Sequence, residues 1–90
     1  MDRAKIIWEL SQRLIPHTMP EQIDNNKYYY QKTDEEEQPF SNLCAIIKKE
    51  NVILTPADKE LIDEIGESLW NDGEYWQFRM KTKYWKEMVE

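Results

Sequence analysis

The side chains in this chain best spaced to act together are the acids Glu60, Asp63, Glu64 and Glu67, which a helix would carry as one stripe. Like charges one turn apart oppose their own helix by about 0.2–0.5 kcal/mol per pair, so a nearby cation is expected. The chemistry such a stripe offers is ionic: it can receive a basic protein surface or imitate a row of phosphates. Residues 56–74 hold Asp58, Glu60, Asp63, Glu64, Glu67, Asp72 and Glu74 against a single base, Lys59. A second acidic run, Asp34, Glu35, Glu36 and Glu37, reads as a solvated loop and a secondary patch, because adjacent like charges resist being packed.

Beyond Glu74 the sign reverses. Residues 75–86 contain Arg79, Lys81, Lys83 and Lys86 and no acid, interleaved with Tyr75, Trp76, Phe78, Tyr84 and Trp85. Cations that neutralise phosphate beside rings that stack on bases are what single-stranded nucleic acid requires. Arg79, Lys83, Lys86, Trp76 and Trp85 are therefore the candidate nucleic-acid residues. The same bases have an internal use, since a hairpin through Asn71, Asp72 and Gly73 would lay Arg79, Lys83 and Lys86 against the acidic stripe. With 12 bases against 18 acids the chain stands at −6, which repels nucleic acid and anionic membrane at long range and attracts cationic partners.

Nothing else is spaced for catalysis or for a metal. His17 is the only histidine and Cys44 the only cysteine, far apart in sequence and too few for a thiolate zinc site or a nucleophile pair. They read as a loop histidine and a small buried residue. Asp24, Asn26 and Glu35 fit three positions of a calcium loop, but Tyr28 and Tyr29 stand where a ligand and a glycine are needed. Gly66 and Gly73 are isolated, so no phosphate-cradling loop is present. No catalytic residue, metal ligand or cofactor is expected.

Ninety residues suit one domain with a modest core, and four Trp, five Tyr and two Phe must supply much of its apolar area. Residues 3–15 predict an amphipathic helix with Ala4, Ile7, Trp8, Leu10, Leu14 and Ile15 on one arc, capped by Asp2 and stopped by Pro16 and Pro20. Residues 16–39 hold no helical period and read as a long connecting segment, partly extended or mobile, with its best strand at 27–32, KYYYQK. Phe40, Leu43, Cys44, Ile46 and Ile47 predict a helix over 41–50 capped by Ser41. Thr55, Pro56 and Asp58 predict a sharper helix start, with Leu61, Ile62, Ile65 and Leu69 facing the core and Asn71, Asp72 and Gly73 ending it. Residues 74–89 are expected to continue as a fourth helix; a strand over 75–84 is the alternative, with Trp76, Phe78, Met80, Thr82 and Tyr84 on one face.

The fold expected is mainly α, a small single-domain bundle of about four helices; the alternative is α+β with strands near 27–32 and 75–84. The lone cysteine and the charged, cleavage-site-free start MDRAKIIWEL point to the cytoplasm rather than to export, and no run reaches membrane-spanning length. The function expected is that of a non-enzymatic acidic interaction protein, of the inhibitor, immunity or adaptor kind, occluding a basic surface on a protein partner. A phage or mobile-element inhibitor of a nucleic-acid enzyme is one concrete form. The alternative is a small nucleic-acid-binding regulator using the basic aromatic segment.

Overall fold

A computed structural model describes residues 2–72 and 85–89. The described residues form a mainly helical bundle: α1 (Arg3–Leu14), α2 (Pro20–Lys32), α3 (Glu37–Lys49), α4 (Pro56–Asn71) and a single turn, α5 (Lys86–Val89). α1 packs against α2, α3 and α4, while α5 closes over α3 and α4. The predicted helix over 74–89 is thus described only at its end; the alternative strand over 75–84 lies outside the described residues.

Local chemistry sets the helix ends. The Asp2 carboxylate accepts the Lys5 backbone N–H at 3.1 Å and opens α1. At α4, Thr55 Oγ1 accepts from the Asp58 N–H at 3.1 Å while the Asp58 carboxylate accepts from the Thr55 N–H at 3.4 Å, a reciprocal capping box with Pro56 at the first helical position. The end of α3 is locked by Asn51, whose φ of 51° lets the Val52 N–H donate back to the Ile47 carbonyl at 3.1 Å. Asparagine tolerates that left-handed turn better than most residues, and Val52 then lies over Ile47.

The core joins Ile7, Leu10, Leu14 and Ile15 of the α1 region to Phe40, Leu43, Cys44, Ile46 and Ile47 of α3 and to Ile62, Ile65 and Leu69 of α4. Trp85 completes it. Its indole is fully buried and lies on Gly66, where any Cβ would overlap the ring atoms Cδ1, Nε1 and Cε2. A glycine costs about 1 kcal/mol relative to alanine inside a helix, and here that cost makes room for the largest side chain of the core. Trp70 packs against Trp85 at a centroid distance of 6.1 Å. Leu61 is only half-buried at the edge of this cluster.

The segment 16–39 corrects the sequence reading. Residues 20–32 are helical, with no strand at 27–32, because Pro20 begins α2 instead of merely ending α1; of the link that follows, Thr33 is extended. The inward residues here are Met19, just before α2, and Ile23 and Asn26 within it, a helical spacing in which an amide stands where an aliphatic was sought. Asn26 is buried and fully engaged: its Nδ2 donates to Ser11 Oγ at 2.9 Å and to the Pro39 carbonyl at 3.1 Å, and its Oδ1 accepts from Asn42 at 3.4 Å. Ser11 Oγ in turn donates to the Ile7 carbonyl at 2.7 Å. Tyr30 stacks on Trp8 at 6.2 Å. Helix α3 also starts earlier than position 41, at Glu37, so Ser41 is not its cap but donates to the Glu37 carboxylate at 3.3 Å. Pro39 is no barrier there, since the first turn of a helix has no intrahelical acceptor for its N–H groups.

Truncating the core tests this arrangement. Ile65→Ala and Leu14→Ala should each cost about 2–5 kcal/mol in denaturant melts, with Leu61→Ala costing less because its side chain is partly solvated. Gly66→Ala should also destabilise, by about 1–3 kcal/mol, although alanine is the better helix former, because the new methyl displaces Trp85. A shift of the Trp85 indole N–H resonance should accompany that loss.

Candidate interaction surface

Helix α4 presents its stripe acids, Glu60, Asp63, Glu64 and Glu67, away from the core because Ile62, Ile65 and Leu69 fix the opposite face there. Its first turn is held from α1, where Arg13 donates to the Asp58 carboxylate at 2.9 Å. Burial by itself would raise the Asp58 carboxyl, but the hydrogen bonds from Arg13 and Thr55 outweigh it and hold the group below its ordinary value. Its last turn is held by Arg3, which donates to Ser68 Oγ at 3.0 Å and pairs with Asp72 at 3.3 Å.

Between these ends the four stripe acids divide into two pairs. The seating of Trp85 on Gly66 brings Lys86 over the stripe, where its Nζ bridges Asp63 at 2.7 Å and Glu67 at 2.8 Å. The Trp85 Nε1–H adds a longer bond to Asp63 at 3.4 Å. The Lys86 bond holds the Asp63 carboxyl below its ordinary value, and the bonds to Asp63 and Glu67 raise the Lys86 ammonium. Glu60 and Glu64 are exposed and have no ion pair among the described residues. Of the expected internal hairpin, the Lys86 contact is therefore present, whereas Arg79, Lys83 and Gly73 lie outside the described residues.

The second acidic run is not a uniform solvated loop. Asp34 and Glu35 are exposed, but Glu36 accepts two hydrogen bonds from Arg3, at 2.8 and 2.9 Å, and Glu37 is buried at 3% exposure in the first turn of α3. The guanidinium draws Glu36 inward, and the Ser41 hydroxyl gives Glu37 a buried partner. Of the eight candidate acids, the fully outward ones are thus Glu60, Glu64, Asp34 and Glu35.

Among the candidate nucleic-acid residues, Trp76, Arg79 and Lys83 lie outside the described residues. Trp85 is fully buried and offers no free ring face to a base, and Lys86 is already doubly bridged. His17 is exposed on the link after α1, while Cys44 is buried in α3 with its thiol pushed up by burial. Asn26, considered above as a calcium ligand, belongs to the buried bonds joining α1, α2 and α3. Among the described residues no group of three or more His, Cys, Asp or Glu is placed to hold a metal ion, and no helix is long and apolar enough to cross a membrane.

Sequence reasoning missed Arg3, Arg13 and the Gly66–Trp85 contact. A glycine in mid-helix, beside an otherwise regular apolar pattern, was the signal for a close approach. The arginines left no such trace, since their partners are 33 to 69 residues away. A scan of protein-family models finds no match to this chain, and neither the curated proteins nor the solved structures yield one.

The division of the stripe is measurable. Glu60→Gln with Glu64→Gln should leave stability unchanged or raise it by a few tenths, about 0.2–0.5 kcal/mol, by relieving one i,i+4 repulsion. Asp63→Asn with Glu67→Gln should instead lower it, by up to ~1 kcal/mol because the bridge is partly solvated. The advantage of wild type over Asp63→Asn should be fully present above about pH 4, the ordinary aspartate value, and vanish as the pH falls through the lower folded value. Thermal melts across that range check both signs.

Proposed function

We propose that this chain is a non-enzymatic acidic interaction protein that occludes a basic surface on a protein partner, in the manner of a small inhibitor, immunity or adaptor protein. The observation that carries this reading is the asymmetry of the α4 stripe. Asp63 and Glu67 are neutralised from within by Lys86, yet Glu60 and Glu64, one turn apart and mutually repulsive, face solvent with no ion pair among the described residues. An uncompensated pair on a helix braced at both ends is a pre-organised receptor for cations, because binding costs it little ordering. Asp34 and Glu35 add a second exposed patch. The net charge of −6 steers basic partners toward the molecule and opposes phosphate backbones.

A protein that masks a nucleic-acid enzyme by covering its phosphate-binding surface is the concrete form we favour. The cytoplasm is the compartment proposed, in keeping with a buried thiol that has no disulfide partner.

Immobilised protein exposed to a lysate of its native host provides the test. A partner should be retained at low salt and released as ionic strength rises, since screening weakens exposed charge pairs. The variant Glu60→Gln, Glu64→Gln, Asp34→Asn, Glu35→Gln should fold as before and bind about tenfold more weakly, a loss of ~1.4 kcal/mol. Retention that is indifferent to salt and to these substitutions would sink the reading. Retention abolished by nuclease would favour a nucleic-acid-binding regulator in its place.

A further inference from the structure

We propose that α2 is a lid: under native conditions residues 16–35 come away from α1 and α3 and unfold as a unit while the other helices stay packed. The inference is independent of the acidic-face reading. It starts from what α2 gives to the core, which is little. Of its 13 residues, all of them described, Asn26 alone is buried, and the buried hydrophobic residues that join the other helices include none from α2. Ile23 and the neighbouring Met19 are only partly buried, and Tyr30 rests on Trp8 while remaining 39% exposed.

In place of apolar area, α2 is fastened by the Asn26 amide, which donates to Ser11 Oγ at 2.9 Å and to the Pro39 carbonyl at 3.1 Å. Bonds between polar groups contribute little net stability, because water replaces them when the groups part. The side chains left behind also keep partners: Ser11 Oγ donates to the Ile7 carbonyl at 2.7 Å, and Asn42 accepts from Gln38 at 3.3 Å. The seam itself is not fully closed. A recess of about 10 Å³, the size that just admits a water, lies between Ile7 and Trp8 of α1, Asn26 and Tyr30 of α2, and Pro39 of α3.

Once released, α2 has little to keep it helical. A helix of this length is marginal in water even with the best residues, and this one carries Asp24, Asn25, Asn26 and three consecutive tyrosines, all among the weaker helix formers. Its N-cap residue, Met19, makes no side-chain capping bond, unlike Asp2 at α1 and Thr55 at α4. The chain on either side is pinned. Before α2, Ile15 is 1% exposed in the core; after it, Glu36 accepts two hydrogen bonds from Arg3, at 2.8 and 2.9 Å. Those anchors set the ends of the lid. Its opening uncovers the sides of Ile7, Trp8 and Pro39 that face the recess, and leaves α1, α3 and α4 with the aliphatic core they share.

Native-state hydrogen exchange of the full chain, read amide by amide where the rate reports the opening equilibrium, tests the proposal. The amides of Lys27, Tyr28, Tyr29 and Tyr30 should exchange at least about tenfold faster, relative to their intrinsic rates, than those of Leu10, Leu43, Ile62 and Ile65. Two variants separate a lid from unfolding of the whole domain. Ile65→Val, mild enough to keep the domain folded, should speed the core amides several-fold and leave the α2 amides unchanged, because Ile65 stays packed in the opened form. Asn26→Ala should speed the α2 amides about tenfold by removing its two buried bonds. Amides of α2 that exchange as slowly as those of the core, that respond to Ile65→Val by the same factor, or that ignore Asn26→Ala would overturn the proposal.

Discussion

The seating of Trp85 on Gly66 is the contact on which the rest of the molecule depends. It brings a residue near the chain's end across the flank of α4 and fills the space that a helix side chain would otherwise occupy. That placement closes the core between α3 and α4. It also sets Lys86 within reach of Asp63 and Glu67, and so determines which acids are satisfied internally. A packing constraint thereby becomes an electrostatic one: the indole seated on Gly66 sets the next residue, Lys86, on Asp63 and Glu67 and not on Glu60 and Glu64.

Hydrophobic burial alone would not have arranged the remaining helices, because α2 contributes almost no aliphatic surface. Polar contacts take that part. Asn26 ties α2 to α1 and α3 through groups that are all buried, so replacing it would remove two buried bonds at once. Arg3 gathers Glu36, Ser68 and Asp72 from distant parts of the chain, and Arg13 reaches the buried Asp58. Such bonds add modestly to stability, but they are directional, which aliphatic contacts are not. In a domain with so small a core they help select one arrangement of helices.

The outcome is a molecule with two kinds of exposed surface. Along α4 it offers charge without apolar area, a surface that attracts from a distance and is sensitive to salt. Around Ile53 it offers an exposed aliphatic side chain with Lys48, Lys59 and Glu87 close by, a surface that acts only on contact. Burying the acids costs desolvation that a cation must offset, whereas burying Ile53 is favourable wherever a fitting recess exists.

The sequence by itself determined the local features: the Asp2 cap of α1, the capping box at Thr55 and Asp58, the apolar faces of α1, α3 and α4, and the burial of Cys44. Each depends on residues within a turn or two of one another, so spacing suffices to reveal it. It could not reveal α2, whose inward side carries Ile23 and the amide of Asn26, a polar group that can be buried only when Ser11 and the Pro39 carbonyl are there to receive it. Nor could it sort the acids. Glu36, Glu37, Asp63 and Glu67 look like Glu35, Glu60 and Glu64 in sequence, yet a carboxylate is internal or available according to whether a cation or hydroxyl from elsewhere in the chain reaches it. That depends on contacts up to 65 or 69 residues apart, such as those of Arg3, and only the tertiary structure supplies them.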